Sequence, residues 1–373
     1  MKNALDHAAL ERAVQDVHHA GMPGLFAEVR DGDQVWRGAA GFADLATGSP
    51  VTPDMRHRVG SITKTFTAAA VLQQVESRRI ALDAPIGRYL PEHAPAGGRG
   101  EAITVRMLLN HTSGLAEYLP YAYPSLKGYP VLSETGPSSL DEHRFTRFDP
   151  IELIEKGVNA PAVGAPGTTP GVYSNTNYLL LVRLLEEVTG STAERYITRC
   201  VIERAGLRET ELPSGPYVNG PHSRLYEAWS GMIDPPRDYS VYDMSWVGPS
   251  ASLISTASDL NRFYGMLLAG QIVSPSSLVE MQRTVPVVSQ EGKTIDYGLG
   301  LHPMTAPGQG TFWGHGGTVW GGGTLAMTRA DGTRQMAVAV NLQRWNGLDS
   351  SGRPEPHPID EALAHLYRLA MYG

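Results

Sequence analysis

The sequence predicts an α+β protein in which an antiparallel sheet is flanked by helices and an all-helical lobe is inserted into it. Three observations support this fold class: strand patterns occupy both ends of the 373-residue chain, helical patterns fill its middle, and no low-complexity linker divides it. The two ends would therefore meet in one sheet with helices packed on its faces. We predict one domain over residues 1–373, with a sheet lobe at about 1–60 and 285–373 and a helical lobe at about 61–284.

Each element has a local signal. After a first helical pattern, two apolar stretches join at Asp31-Gly32-Asp33, which indicates a β-hairpin. The stretch 311–342 predicts three strands, with the last two connected at Asp331-Gly332, and a final helix is expected at about 358–371. A Tyr- and Pro-rich stretch at 116–149 is too long for an ordinary connection and is expected to shape a binding site. The helical patterns of the middle lie at 61–77, 103–110, 150–157, 176–189, 192–205 and 256–269.

Composition and charge argue against several kinds of partner. The net charge is -7 and no basic run occurs, so no nucleic-acid partner is expected. No segment reaches the roughly 18 consecutive apolar residues of a membrane span. The N-terminal stretch lacks the continuous apolar segment of a signal peptide, which predicts a cytoplasmic protein unless an export signal has been removed.

The stretch HRVGSITKTF, residues 57–66, places Ser61 and Lys64 one turn apart at the start of an apolar helix, in a chain that has only five lysines. Residues three apart share one face of a helix, and burial of a lysine lowers its pKa, so Lys64 could take the proton of Ser61. The helix N-terminus adds free N–H groups where an oxyanion would form. In the alternative interpretation, Ser61 only caps the helix and Lys64 extends into solvent.

A second pair, Tyr173 and Asn175, lies in GVYSNTNYLLL, just before another apolar helix. Both side chains could point into one cleft, where Tyr173 would relay a proton to a leaving group and the amide of Asn175 would hold a substrate carbonyl. In the alternative interpretation, Asn175 or Thr176 caps the helix and Tyr173 packs in the core.

A histidine lies between glycines in GHGGTVWGG, residues 314–322. Gly316 and Gly317 would let a substrate backbone lie beside the strand, with His315 offering a hydrogen-bond donor and the Thr318 N–H facing an oxyanion. In the alternative interpretation, the glycines only permit a tight bend.

The order S-x-x-K, Y-x-N and H-x-G resembles that of the penicillin-recognising serine enzymes. Within that superfamily the chain is most similar to the D-alanyl-D-alanine carboxypeptidase branch, which includes class C-type β-lactamases and related esterases. Similar text, such as ITVRMLLNHTSGL and SASLISTASDLNRFYGMLLAGQIVS, extends over about residues 20–345. The resemblance implies a β-lactamase/DD-peptidase-like fold with the active site between the two lobes.

The resemblance also implies roles for the motif residues. Ser61 would be the nucleophile, and Lys64 and Tyr173 would handle protons. Asn175 and His315 would belong to the substrate-binding and proton network. The N–H groups of Ser61 and of Thr318, which follows Gly316 and Gly317, would form the oxyanion hole. The implied chemistry is acyl transfer through a covalent acyl-serine.

Two positions depart from the DD-peptidase pattern. Where those enzymes commonly have His-Thr-Gly, this chain has Gly316 in place of the threonine, and His302 follows YGLGL where they have an arginine. Both missing groups would bind a free carboxylate by charge-assisted hydrogen bonds. The sequence therefore predicts that this site does not recognise a terminal carboxylate.

Several aromatic residues and one further histidine have less specific signals. Trp246 and Trp320, with Tyr118, Tyr121 and Tyr123, could form the wall of an acyl pocket, although aromatic residues most often pack in cores. His111, in NHTSGL, is expected to be a structural histidine satisfied by nearby backbone groups and not a base.

The predicted function is that of a serine acyl-enzyme that hydrolyses or transfers an ester- or amide-linked acyl group of a small molecule or peptide, with water or an amine as acceptor. A biosynthetic transacylase or peptidyl transferase, a D-alanyl-D-alanine carboxypeptidase and a slow-turnover penicillin-binding module are the alternatives. A Ser-His-Asp hydrolase is disfavoured, because Val59 and Thr63 occupy the glycine positions of G-x-S-x-G around Ser61. No metal or other cofactor is expected, because the twelve histidines show no ligand spacing.

Overall fold

Seven strands form a central antiparallel sheet in the computed structural model, which describes residues 5–128 and 134–373. The strands of the described residues are β1 Gly24–Asp31, β2 Gln34–Asp44, β3 Ser49–Pro50, β4 His57–Arg58, β5 Gly171–Val172, β6 Tyr226–Glu227, β7 Arg237–Asp238, β8 Ile254–Ser255, β9 Val285–Val288, β10 Thr294–Tyr297, β11 His302–Ala306, β12 Gly310–Val319, β13 Gly322–Arg329, β14 Arg334–Val340 and β15 Leu342–Gln343. The order across the central sheet is β11-β12-β13-β14-β1-β2-β3. The two ends of the chain therefore meet through the β1–β14 pair, in which Phe26 lies opposite Ala339.

Every predicted helix is present and begins within about two residues of its expected start. The predicted helix at 192–205 is divided, because its second half is the π-helical segment Thr198–Ile202. Part of the stretch 116–149, residues 129–133, lies outside the described residues. The α-helices of the described residues are α1 His7–His19, α2 Thr63–Glu76, α3 Arg99–Ala102, α4 Val105–Leu109, α5 Leu119–Ala122, α6 Ser138–Glu142, α7 Pro150–Asn159, α8 Asn175–Thr189, α9 Ala193–Ile197, α10 Ala257–Leu268, α11 Pro275–Met281 and α12 Pro358–Tyr372.

The central sheet is covered on both faces, which explains why β14 is buried at every position. Side chains alternate along a strand, so β1 contributes to two cores. Leu25, Ala27 and Val29 pack beneath α1 and α12, whereas Phe26 belongs to the core on the opposite face, where α10 lies. None of the helices among the described residues is long and apolar enough to cross a lipid bilayer.

Strand β11 was not predicted from the sequence. It is an edge strand of the central sheet and contains Pro303, which an edge strand tolerates because no neighbour needs its missing N–H. The inserted segment was predicted to be all-helical, but it also holds the short strands β5 to β8. The division of the chain into a sheet lobe and a helical lobe stays a prediction.

Helix α2 is enclosed by other elements on every side. All ten residues from Thr63 to Leu72 are buried, as expected for a helix without a solvent-facing stripe. It packs against α8 and against β12 of the central sheet. The starts of α2 and α8 and the end of β12 carry the three sequence motifs, and these elements lie next to one another.

Candidate active site

Ser61 and Lys64 are in direct contact at the start of α2. Ser61 lies in the 3₁₀ turn Gly60–Ile62, and Lys64 lies in the helical turn that follows. The Nζ of Lys64 is 3.1 Å from Ser61 Oγ, 2.8 Å from Asn175 Oδ1 and 3.4 Å from the carbonyl oxygen of Ser250. Lys64 is fully buried, so the alternative in which it extends into solvent is excluded. Among the described residues, Lys64 forms no ion pair with a carboxylate.

Burial changes the protonation of Lys64. Loss of hydration lowers the pKa of its ammonium group from 10.5 to about 7, and the charge of Glu117 opposes this change only in part. Near neutral pH, a substantial fraction of Lys64 is therefore the uncharged amine. Such an amine can accept the Ser61 proton across the 3.1 Å contact.

Tyr173 lies in the extended segment that enters α8. Strand β5 pairs with β9, and the N–H of Tyr173 donates to the carbonyl oxygen of Val288 at 3.0 Å, which fixes this segment. The Tyr173 hydroxyl is buried, and its polar neighbour is the Ser61 hydroxyl. Burial raises its pKa, and the nearby Ser61 hydroxyl counteracts this only in part. Tyr173 is therefore a neutral phenol with a proton to donate, and its ring centre is 5.2 Å from Lys64 Nζ.

Asn175 is held by the carboxylate of Glu117, a residue that was not predicted. Glu117 Oε2 accepts from the Asn175 N–H at 2.9 Å and from Asn175 Nδ2 at 3.0 Å, which leaves Asn175 Oδ1 facing Lys64. Both ends of this amide are thus engaged within the protein, whereas we expected it to hold a substrate carbonyl. Ser174 occupies the N-cap position of α8, so the alternative in which Asn175 caps the helix is wrong.

Strand β12 passes so close to Ser61 that glycine is required on both sides of the contact. A Cβ atom on Gly317 would lie 1.9 Å from the carbonyl oxygen of Val59 and 2.8 Å from Ser61 N. A Cβ atom on Gly60 would lie 2.7 Å from Thr318 N. The backbone nitrogens of Ser61 and Thr318 are therefore neighbours, as an oxyanion hole requires.

His315 has both ring nitrogens engaged by the protein. Its Nδ1 contacts the carbonyl oxygen of Gly316, which can only accept, so Nδ1 carries the proton. Its Nε2 then accepts from the Tyr297 hydroxyl at 2.8 Å. This arrangement does not leave His315 the free donor that we expected. A Cβ atom on Gly316 would meet its nearest neighbour at 3.7 Å, so this glycine leaves open space and does not avoid a clash.

Two further histidines border this group. The ring of His302 lies 5.5 Å from that of His315, and burial lowers the pKa of both. The ring of His111 stacks 4.1 Å from that of Tyr173, and its Nδ1 accepts from the Ser174 N–H at 3.2 Å. Burial also lowers the pKa of His111. Its backbone contact fits the expected structural histidine only in part, because its Nε2 is buried without a hydrogen-bond partner among the described residues. All three rings are neutral near neutral pH.

An aromatic pocket opens beside Ser61. Trp246 and Trp320 stack with their ring centres 4.9 Å apart, and both line the pocket as the sequence predicts. Trp229 and Arg344 also line it and were not predicted. The cavity has a volume of about 80 Å³, which suits a small group and not a long peptide.

The three tyrosines that we expected in the pocket wall do not line it within the described residues. Tyr118 is fully buried and donates its hydroxyl to the carbonyl oxygen of Trp246, behind the pocket. Tyr121 is 48% exposed on the surface, and Tyr123 packs against the outer side of the tryptophans. Tyr121 lies in the short helix α5 and the other two tyrosines flank it, and so short a helix gives no periodic pattern from which the side-chain directions could be predicted.

Comparison with known sequences identifies relatives along most of the chain. A family model described as Beta-lactamase matches residues 9–357. The chain is 25% identical over 319 residues to penicillin-binding protein 4* of Bacillus subtilis (strain 168), and 28% identical over 325 residues to a D-aminopeptidase of Brucella anthropi. These alignments cover 82% and 85% of this chain, but 65% and 56% of the relatives. The chain thus spans between about half and two thirds of the length of these curated relatives.

A solved structure agrees with these matches. The structure of a D-stereospecific amidohydrolase from Streptomyces sp. superposes with a TM-score of 0.80 and 35% sequence identity. The superposition covers 96% of this chain and 98% of that chain, so the whole fold is shared. The predicted fold class is confirmed. The family model that matches residues 9–357 covers all three sequence motifs. The chain belongs to the beta-lactamase family.

Proposed function

We propose that this protein is a serine acyl-enzyme that hydrolyses small amides and esters, with Ser61 as its nucleophile. The observation that carries the proposal is the 3.1 Å contact between Ser61 Oγ and the buried Nζ of Lys64. The lowered pKa of Lys64 supports a role as the base, because a buried amine near pH 7 can accept a proton and release it again.

The proposed reaction has two steps. Lys64 takes the Ser61 proton while Oγ bonds to the substrate carbonyl carbon, and the negative charge on the carbonyl oxygen faces the N–H groups of Ser61 and Thr318. The bond to the leaving group then breaks as Tyr173 donates its proton to that group. A water molecule next attacks the acyl-serine and gives a proton to the Tyr173 oxygen, while Lys64 returns its proton to Ser61 Oγ as the acid leaves.

The proposed substrate has an uncharged leaving group. His302 and His315 are neutral near neutral pH because burial lowers the pKa of both, so neither offers a cation to a terminal carboxylate. This supports the expectation drawn from Gly316 and His302 in the sequence. The likeness to the D-stereospecific amidohydrolase, at 35% identity, favours amides with a D-configured acyl group over a carboxypeptidase substrate.

Two further features of the proposal come from the sequence. An amine in place of water would make the enzyme an acyltransferase, because the acyl-serine can be attacked by either nucleophile. A cytoplasmic location is the second feature.

A substrate panel read by intact-protein mass tests the proposal. The panel contains a D-amino-acid amide, its L-enantiomer, a short-chain ester, a D-Ala-D-Ala peptide and a cephalosporin, each with and without an amine acceptor. We expect turnover of the D-amide and the ester, with a transient acyl adduct on the protein. A panel in which every compound leaves the protein mass unchanged and no product forms would sink the proposal. A lasting adduct without product would identify the slow penicillin-binding module instead.

Glu117→Gln tests the electrostatics of the site. The variant removes the charge that raises the pKa of Lys64, and it replaces one of the two oxygens that accept from Asn175 and from the Leu119 N–H with an NH2 donor. We expect kcat/KM for an ester to fall by about ten-fold, the cost of an unmade buried hydrogen bond. The acidic limb of its pH profile is expected to move to lower pH, because Lys64 then loses its proton more easily.

The matched control is Glu186→Gln, which removes another partly buried carboxyl group with a raised pKa, near the far end of α8. It should change neither the rate nor the pH profile. An unchanged pH profile in Glu117→Gln would show that Glu117 does not act on Lys64.

A further inference from the structure

Glu227 is a completely buried carboxylate that joins three distant segments behind the aromatic pocket. Its Oε1 accepts from the Trp229 N–H at 2.9 Å and from Arg344 Nε at 3.0 Å. Its Oε2 accepts from the Gly321 N–H at 2.9 Å and from Arg344 Nη2 at 2.6 Å. We call these four residues the Glu227 clasp. Four hydrogen bonds occupy the acceptor sites of the carboxylate, so it has none left for a ligand.

The clasp places three pocket residues. Trp229 and Arg344 are members of it, and Trp320 directly precedes Gly321. The guanidinium carbon of Arg344 lies 4.6 Å from the ring centre of Trp229 and 5.2 Å from that of Trp320. The cation is therefore covered by two indole rings while its charge is balanced by Glu227.

The backbone of the clasp is held in a conformation that non-glycine residues rarely adopt. Trp229, Ser230 and Arg344 have φ values of 42°, 56° and 51°. A bulky residue with positive φ is costly, and such residues persist where the surrounding structure forces them, most often at functional sites. The clasp holds Trp229 and Arg344 in this conformation, because its hydrogen bonds connect both residues through Glu227 to the turn between β12 and β13. The Ser230 N–H in turn donates to the carbonyl oxygen of Arg344.

We propose that Glu227 and Arg344 are positioning residues that set the acyl specificity of this pocket by keeping its wall rigid and electrically neutral. The pocket contacts Ser61 and Thr318, whereas Tyr173 and His315 are absent from its lining among the described residues. The acyl side chain therefore enters the pocket, and the leaving group lies toward Tyr173. Because the charge of Arg344 is balanced and the wall is formed by indole rings, the pocket selects an uncharged, apolar acyl side chain and excludes an anionic one. This inference rests on the proposed function.

Two esters of matched shape measure this selectivity: p-nitrophenyl 4-methylpentanoate, which is neutral, and p-nitrophenyl hydrogen succinate, whose acyl group carries a carboxylate. The wild type should prefer the neutral ester in kcat/KM. Glu227→Gln leaves the Arg344 charge unbalanced in the wall, so the preference should fall by at least about ten-fold. Arg344→Gln leaves Glu227 unbalanced, and the preference for the neutral ester should rise.

Glu28→Gln is the control. Glu28 is 1% exposed and paired with Arg30 and Arg37, away from the pocket. Its removal should lower the melting temperature without changing the preference between the two esters. If Glu227→Gln does not fold, Arg344→Gln carries the test alone.

The outcomes separate this inference from the proposed function. Equal loss of activity on both esters in Glu227→Gln and Arg344→Gln would show that the clasp is only structural. Wild-type rates on both esters in the two variants would overturn the inference as well. Absence of turnover and of any acyl adduct in the wild type would instead remove the proposed function itself.

Discussion

Replacing Ser61 with alanine is expected to abolish turnover of every amide and ester substrate, with a loss of at least about 10⁴-fold in kcat. The substitution removes the atom that we propose bonds to the acyl group, and neither Lys64 nor Tyr173 can replace it. Because Ser61 lies in a short turn that has no side-chain cap, and its Oγ faces Lys64 and Tyr173, the fold should be unaffected. Steady-state rates and intact-protein mass check both parts, since no acyl adduct should form.

Ser77→Ala is the matched control, because it makes the same change at the opposite end of α2. It should retain wild-type rates. Wild-type turnover of a simple ester by Ser61→Ala would refute the mechanism, and an adduct in Ser61→Ala would place the nucleophile at another side chain.

Replacing Lys64 with methionine is expected to slow acylation by about 10²–10⁴-fold, the usual contribution of a general base. In the wild type, kcat/KM should fall as the pH drops below about 7, because Lys64 becomes protonated and can no longer take the Ser61 proton. The variant should lose this acidic limb. The exposed Lys156 provides the control substitution Lys156→Met, which should leave the pH profile intact.

The pH dependence of the free energy of unfolding gives a second measure of the burial of Lys64. The pKa of Lys64 is about 7 in the folded protein against 10.5 as its ordinary value, so the unfolded chain holds more protons between these two pH values. The Lys64 contribution to the free energy of unfolding therefore rises with pH across this interval. Below pH 7 the folded protein bears the whole cost of a buried ammonium group. Lys64→Met should unfold with a flatter pH dependence, measured by urea titration at pH 7 and pH 9.5. If the free energy of unfolding changed with pH by the same amount in both proteins, Lys64 would not be desolvated in the folded state.

Local patterns were sufficient to predict the family, the fold class and the helix starts. The Ser61 and Lys64 pair, the Tyr173 turn and the glycines around His315 each have a short-range signature, and their order along the chain identified the superfamily. The hairpins at Gly32 and Gly332 follow from their turn residues, and each glycine has positive φ. The structure brings these motifs together, while their catalytic roles stay predictions.

The residues that escaped prediction act through long-range contacts. Glu117 binds Asn175 across 58 positions, and Glu227 binds Arg344 across 117. Neither carboxylate lies in a motif or on a periodic face, so nothing in the neighbouring sequence distinguishes it from a surface residue. Arg344 directly follows β15, and nothing in its neighbouring sequence distinguishes it from an ordinary loop residue. Only the packing of the sheet against the inserted segment reveals its partners.

The enclosure of α2 has a consequence for how the protein loses activity under stress. Because every residue from Thr63 to Leu72 is buried, the amides of this helix can exchange with solvent only when the elements around it separate. Ser61 and Lys64, the proposed nucleophile and base, thus lie on one of the last parts of the molecule to open. Denaturant should leave the reactive pair assembled until the cooperative transition, so that inactivation and global unfolding share one midpoint.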